Sequence, residues 1–205
     1  IMQKNVEKMT INYSPNFDPK KRTKNKIKYL IFHYTGMKND KLAIKKLTNF
    51  NSNVSCHYYI TAYGKIIKML PDLYIAWHAG KSKWGKRESL NKNSIGIEIS
   101  NPGHKHGYRK FNSNQIKCLI KISRSLIKKY KINKKNILGH SDIAPLRKID
   151  PGEKFPWKIL YKNKIGIWHK INSKKLKHLR RKIIKLNFIE FLNILKKIGY
   201  DVNYS

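Results

Sequence analysis

The feature that most constrains the fold of this 205-residue chain is a double change of hydrophobic period between residues 94 and 140. The stretch "SIGIEIS" (94–100) alternates apolar and polar residues, the period-two pattern of a strand with one wet face. Residues 113–130 then place Ile116, Leu119, Ile120, Leu126, Ile127 and Tyr130 on one helical face, behind an Asn112 or Ser113 that can cap the helix start. The run "NILGH" (136–140) is short and apolar again and ends on His140. Strands interleaved with helices predict an α/β layer structure whose strand ends converge on one site.

The rest of the chain fits that frame. The run "KIKYLIFHYT" (26–35) reads as a buried strand delivering His33 to its end, and Leu42, Ile44, Leu47 and Phe50 fall at roughly helical spacing within 39–50. The stretches "SCHYYIT" and "GKIIKML" flank Ala62-Tyr63-Gly64, a hairpin signal. One or two helical turns are expected after Pro156. Beyond about residue 162 the sequence becomes Lys-rich and amphipathic, with a helical pattern over 187–198 stopped by Gly199. The expected fold is α/β, a mixed central β-sheet flanked by helices with a short helical C-terminal appendage. The expected divisions are an N-terminal extension (1–25), a main domain (26–162) and the appendage (163–205).

Composition narrows the class. A 40% hydrophobic content suits one core-forming domain, and no run of about 18 apolar residues is present, so no membrane-spanning helix is expected. The residues before Ile27 lack the apolar stretch of a signal peptide, while the opening Ile leaves room for a processed or upstream segment. Cys56 and Cys118 follow no disulfide-framework spacing and read as free thiols. Forty-six Lys and Arg against eleven Asp and Glu give a formal charge of +35, which points toward a polyanionic partner. The lysines are nevertheless scattered, and Lys, Asn and Ile are enriched together, as a compositional bias would produce. No specific nucleic-acid partner is expected, and the chain is read as a monomer.

The densest chemistry is in "GHSDIAPLRKIDPGEKFPW" (139–157). His140 ends a strand, and Asp150 follows ten positions later in a loop stiffened by Pro145 and Pro151 and turned by Gly152. With His33 these make two imidazoles and one carboxylate, the minimum set for a catalytic zinc that keeps a fourth position open. The competing reading of a histidine after a strand is a structural residue with satisfied hydrogen bonds.

Five motifs, "FHYT", "SCHYYI", "AWHAG", "LNKNSIGIEI" and "GHSDIAPLRKIDPGEKFPW", resemble in order and spacing those of bacterial zinc N-acetylmuramoyl-L-alanine amidases, the amidase-2 group that shares its fold with peptidoglycan recognition proteins. The resemblance covers about residues 26–160. Within the group the chain looks most like the outer-membrane lipoprotein type, because "IGIWHKINS" and "FLNILKKIGYDV" resemble the sequence on the C-terminal side of that type's catalytic domain. Of the helical peptidoglycan-binding module found there, only the first helix has a counterpart here. The resemblance implies a single zinc ion on His33, His140 and Asp150, with Glu98 as catalytic carboxylate and Lys148 facing the reacting carbonyl. It implies hydrolysis of the bond between N-acetylmuramic acid and L-alanine in peptidoglycan or anhydro-muropeptides, in wall remodelling or recycling. The location it implies is periplasm or outer membrane, with the cytoplasm as the alternative.

His57, Trp77 and His78 sit in matched motifs and stand between substrate-side and structural roles; Trp77 could stack on a sugar or pack in the core. His104 and His106 read as solvated loop residues. Two rival readings are a non-catalytic peptidoglycan-binding module, against which the complete ligand set speaks, and a basic nucleic-acid-binding protein motivated by charge alone.

Overall fold

The structure, a computed structural model, describes residues 9–181 and 187–202. Six strands build one sheet: β1 (Thr10–Ile11), β2 (Tyr29–Tyr34), β3 (Tyr58–Ile60), β4 (Ile66–Lys68), β5 (Ser94–Ile99) and β6 (Ile137–Gly139). Their order across the sheet is β1-β4-β3-β5-β2-β6. Only the β3–β4 hairpin is antiparallel; every other neighbouring pair runs parallel. The sheet is therefore mixed, as expected, and its tight connection falls at Ala62-Tyr63-Gly64. Gly64 turns there at φ +84°, and a Cβ on it would meet the backbone of Asn114 at 2.7 Å.

The central strands are apolar on both faces because both are covered. Along β2, Leu30 and Phe32 join one core cluster with Ile95, Ile97, Leu119 and Leu126, while Tyr29 and Ile31 join another with Ala79, Leu90 and Ile143. Such double burial explains a near-continuous apolar run where a one-sided strand would alternate. The helices are α1 (Asp40–Thr48), α2 (Ser113–Tyr130), α3 (His140–Ile143), α4 (Trp157–Lys162), α5 (Ser173–Arg181) and α6 (Phe188–Ile198). Helix α2 occupies the residues its period indicated, and Asn112 closes a capping box with Gln115: each side chain accepts from the other's backbone N–H, at 3.0 and 3.2 Å.

Two boundaries differ from expectation. From residue 9 onward the N-terminal segment is part of the fold: β1 extends the sheet, and the buried Asn16 donates through Nδ2 to the Asn49 and Val54 carbonyls. The buried Arg22 guanidinium donates to the carbonyls of Asp72 and Asn91, both at 2.9 Å. Residues 1–8 of the expected extension lie outside the described residues. At the other end, the run "NILGH" stops being a strand at Gly139, and His140 opens α3, because the Asp142 carboxylate turns back to accept the Gly139 N–H at 2.7 Å.

The C-terminal segment is helical, as its pattern indicated, and its last described residues return to the main body. The Gly199 carbonyl accepts the Gly85 N–H at 2.7 Å, the Tyr200 ring meets Trp84 edge-on, and the Tyr200 hydroxyl donates to Asp142 Oδ1 at 2.6 Å. Asp142 thus links the end of the chain to the turn that carries His140.

Candidate active site

The parallel strands β5, β2 and β6 deliver their carboxyl ends to one side of the sheet, where α/β folds place their sites. His33 and Glu98 are register partners on β2 and β5, so their side chains leave the same face. His140 follows β6, the other neighbour of β2. Asp150 is brought back by the loop after α3, where its carbonyl accepts the Ser141 N–H at 2.8 Å. Sequence distance of 117 residues thereby collapses: His33 Nδ1 lies 3.2 Å from Asp150 Oδ2 and 3.0 Å from His140 Nδ1, and His140 Nδ1 lies 3.1 Å from the same carboxylate oxygen. All three residues are buried.

These donors suit a metal. His140 Nε2 sits 3.1 Å from the Ala79 carbonyl, which can only accept, so the neutral ring carries its proton on Nε2 and turns a bare Nδ1 toward Asp150. A lone pair facing a carboxylate at that distance is repulsive unless a cation lies between them. Tetrahedral ligands about 2.0–2.2 Å from a zinc ion would stand about 3.3–3.6 Å apart, slightly wider than the 3.0–3.2 Å observed. Burial, reinforced by the His140 charge, pushes His33 down to about 4, so this ring is neutral and available at ordinary pH.

Over this cluster opens a cleft of about 510 Å³, lined among others by Tyr34, Trp77, His78, Glu98, Arg147 and Lys148. Glu98 is half-buried, and its Oε2 is enclosed without a hydrogen-bond partner among the described residues. Burial, together with the Asp150 charge, raises its pKa well above the usual carboxylate value, while Lys148 and Lys46 act in the opposite direction. Lys148 stands at the cleft wall two residues before Asp150, and Arg147 beside it donates to the Ala79 and Lys81 carbonyls at 2.8 and 2.7 Å.

The three residues left between substrate-side and structural roles separate cleanly. Trp77 is half-buried at the cleft. His78 borders the cleft but is 7% exposed, with Nδ1 against His33 Nε2 at 3.0 Å. His57 is fully buried and outside the cleft lining, its Nδ1 accepting the Gly96 N–H at 3.0 Å and its Nε2 meeting the Tyr74 carbonyl at 3.1 Å. That geometry engages both His57 nitrogens inside the protein, the structural of the two roles the sequence left open for it.

His104, read as a solvated loop residue, is exposed but organised at the rim. The Tyr34 hydroxyl donates to its Nδ1 at 2.9 Å, and its Nε2 donates to Glu153 at 3.0 Å. The cleft residues that the sequence did not single out, Lys46 and Arg147 among them, carry no local signal in a chain this rich in basic residues.

Comparisons with known proteins point to one family. The family model described as N-acetylmuramoyl-L-alanine amidase matches residues 23–153. The N-acetylmuramoyl-L-alanine amidase AmiD of Escherichia coli K12 is 35% identical over 192 residues, spanning 86% of this chain and 68% of that protein. Among solved structures, the complex of E. coli AmiD with the substrate anhydro-N-acetylmuramic acid-L-Ala-D-gamma-Glu-L-Lys superposes with a TM-score of 0.77 at 33% identity, covering 88% of this chain and 74% of that one. AMPDH3 from Pseudomonas aeruginosa, in complex with anhydromuramic pentapeptide, also gives 0.77, at 28% identity, covering 100% of this chain and 82% of its own.

Proposed function

The chain belongs to the N-acetylmuramoyl-L-alanine amidase family, and from that premise we propose that it binds one zinc ion through His33, His140 and Asp150 and hydrolyses the amide joining the lactyl carbonyl of N-acetylmuramic acid to L-alanine. The observation that carries the reading is the buried His–His–Asp cluster beside a carboxylate with one oxygen unpartnered among the described residues, at the floor of an open cleft. A zinc ion held there supplies a Lewis acid that polarises a carbonyl and acidifies water toward a pKa of about 7.

The chain's own residues account for the remaining steps. Glu98 takes the proton of the attacking water and passes it to the departing amine of L-alanine. Lys148 presents its ammonium to the oxyanion of the tetrahedral intermediate. Trp77 offers an aromatic face to the sugar. The substrate is derived from peptidoglycan, and Lys46, Lys105 and Arg147 around the cleft suit a peptide bearing carboxylates.

The test is mass spectrometry of products after incubating zinc-loaded protein with intact sacculi and, separately, with soluble anhydro-muropeptides. Release of peptides beginning at L-alanine is the expected result, and the faster of the two substrates identifies the working one. Binding without release from either would leave a non-catalytic peptidoglycan-binding protein.

Residues 163–205 are proposed as an appendage that adds stability but no chemistry, since every proposed site residue precedes residue 151. Tyr200→Phe removes a hydrogen bond to Asp142 and should cost about 1–3 kcal/mol of stability. Truncation at Asn163 should lower the melting temperature further while leaving kcat on a soluble muropeptide within a few-fold. A fall of about 10²-fold per folded, zinc-loaded molecule, the size of a lost catalytic group, would make the C-terminal segment part of the active site.

A further inference from the structure

We infer that His78 is a positioning residue that fixes the proton of His33 on the nitrogen facing away from the metal cluster, so that His33 meets the metal with a bare Nδ1. The inference rests on the zinc reading above and adds a role for the segment that holds the ligands from behind.

The direction of each hydrogen bond follows from groups that have no choice. Ser94 Oγ lies 2.7 Å from the Leu90 carbonyl, which only accepts, so the single hydroxyl proton goes there. Toward His78 Nε2, 3.0 Å away, the Ser94 oxygen must therefore accept, which places the His78 proton on Nε2. His78 Nδ1 is then an acceptor, and the nitrogen opposite it at 3.0 Å, His33 Nε2, is the donor. The neutral His33 ring has one proton, and it is committed to His78. Its Nδ1 faces His140 Nδ1 and Asp150 Oδ2 as a lone pair.

Without this relay the cluster would draw that proton inward. An N–H on His33 Nδ1 could donate to Asp150 at 3.2 Å, satisfying the carboxylate and closing the site to a cation. His78 blocks that alternative. Its neighbour Ala79 does the equivalent for the second ligand, because its carbonyl accepts from His140 Nε2. Consecutive residues of one segment thus hold the outer nitrogens of both imidazoles.

The segment itself is held firmly. The Asn91 side-chain oxygen accepts the backbone N–H of His78 at 3.1 Å and of Ala79 at 2.7 Å, and Arg147 donates to the Ala79 carbonyl. The His78 ring lies over Gly96 of β5, where a Cβ would fall 2.4 Å from its Cγ, so only glycine allows the ring this position. A direct substrate contact is the competing role for His78. With both ring nitrogens engaged inside the protein, it has no polar atom left to offer.

Outer groups that orient metal-bound histidines typically contribute 10–100-fold in metal affinity. The test is zinc affinity by competition with a chromogenic chelator, together with the His33 tautomer by ¹⁵N NMR on the zinc-free protein. His78→Leu should bind zinc about 10–100-fold more weakly and show His33 protonated on Nδ1. His78→Asn, which keeps an acceptor near the Nδ1 position, should restore binding to within a few-fold. If His78→Leu does not fold, Ser94→Ala carries the test: it removes only the hydroxyl that orients His78 and should weaken zinc binding about 10-fold. A folded His78→Leu, or in its place Ser94→Ala, with wild-type affinity and tautomer would overturn the inference. A wild-type protein that fails to bind zinc would instead overturn the metal reading, and the two failures are distinct.

Discussion

Glu98→Ala is expected to lower kcat by about 10²–10⁴, the range for losing a general acid–base group, while the zinc content of the purified protein stays at the wild-type level. Glu98 shares a face with His33 by register, yet it is absent from the cluster of mutually close metal donors. Its enclosed Oε2 has no hydrogen-bond partner among the described residues, so its lone pairs are not committed to another group there. A base acts only when ionised, and burial pushes this one upward, so activity should fall as pH drops through the raised pKa. Lys46 opposes that rise by favouring the carboxylate. Lys46→Met should therefore move the acid limb of the kcat profile to higher pH, and a limb moving lower would contradict the assignment. Loss of zinc in Glu98→Ala would make Glu98 a ligand, and an unchanged rate would remove it from the mechanism.

What the sequence made legible depended on how locally each feature is encoded. Helix α2 is readable to the residue because its period, its Asn112–Gln115 box and its apolar face all lie within about twenty positions. The strands β2 and β5 are readable because double burial makes long apolar runs. By contrast β1 is two residues long and pairs with β4 more than fifty positions away, so nothing near Thr10 marks it as a strand. The docking of Tyr200 onto Asp142 is equally non-local.

The site shows the same division. His33, His140 and Asp150 are uncommon residues in a chain dominated by Lys, Ile and Asn, and their neighbours are motif-bound, so they stand out. Lys148 and Arg147 are drawn from forty-six basic residues and carry almost no signal of their own. Acids are the informative minority: of the eleven, Asp72, Asp142, Asp150 and Glu98 all occupy enclosed, specific positions. Asp72, for instance, accepts from the Tyr58 and Tyr130 hydroxyls and from Lys129, joining the sheet to α2. The difference between His57 and His78 was not readable at all. Both lie in matched motifs, and only the packing around Gly96 shows one ring held by backbone groups and Arg22 and the other by His33 and Ser94.

His140→Ala should abolish stable zinc binding, because it leaves one imidazole and one carboxylate where a catalytic zinc takes three protein ligands. The wild-type protein should purify with about one zinc. In the presence of zinc at 1,000 times its dissociation constant it should gain about 4 kcal/mol of stability by mass action, read as a rise in melting temperature that a chelator reverses. His140→Ala should show neither the metal nor the rise. Comparison of the two zinc-free proteins separates this from ordinary destabilisation, since the variant also loses the hydrogen bond to the Ala79 carbonyl, which Arg147 still satisfies. Acidification provides an independent check on the wild type. Metal ligands must be deprotonated, and His33, pushed down to about 4, stays neutral well below the ordinary histidine range. Protons should thus compete poorly with zinc for His33 until the pH nears that value. A His140→Ala protein that keeps stoichiometric zinc and its zinc-dependent stabilisation would mean that the ion sits elsewhere.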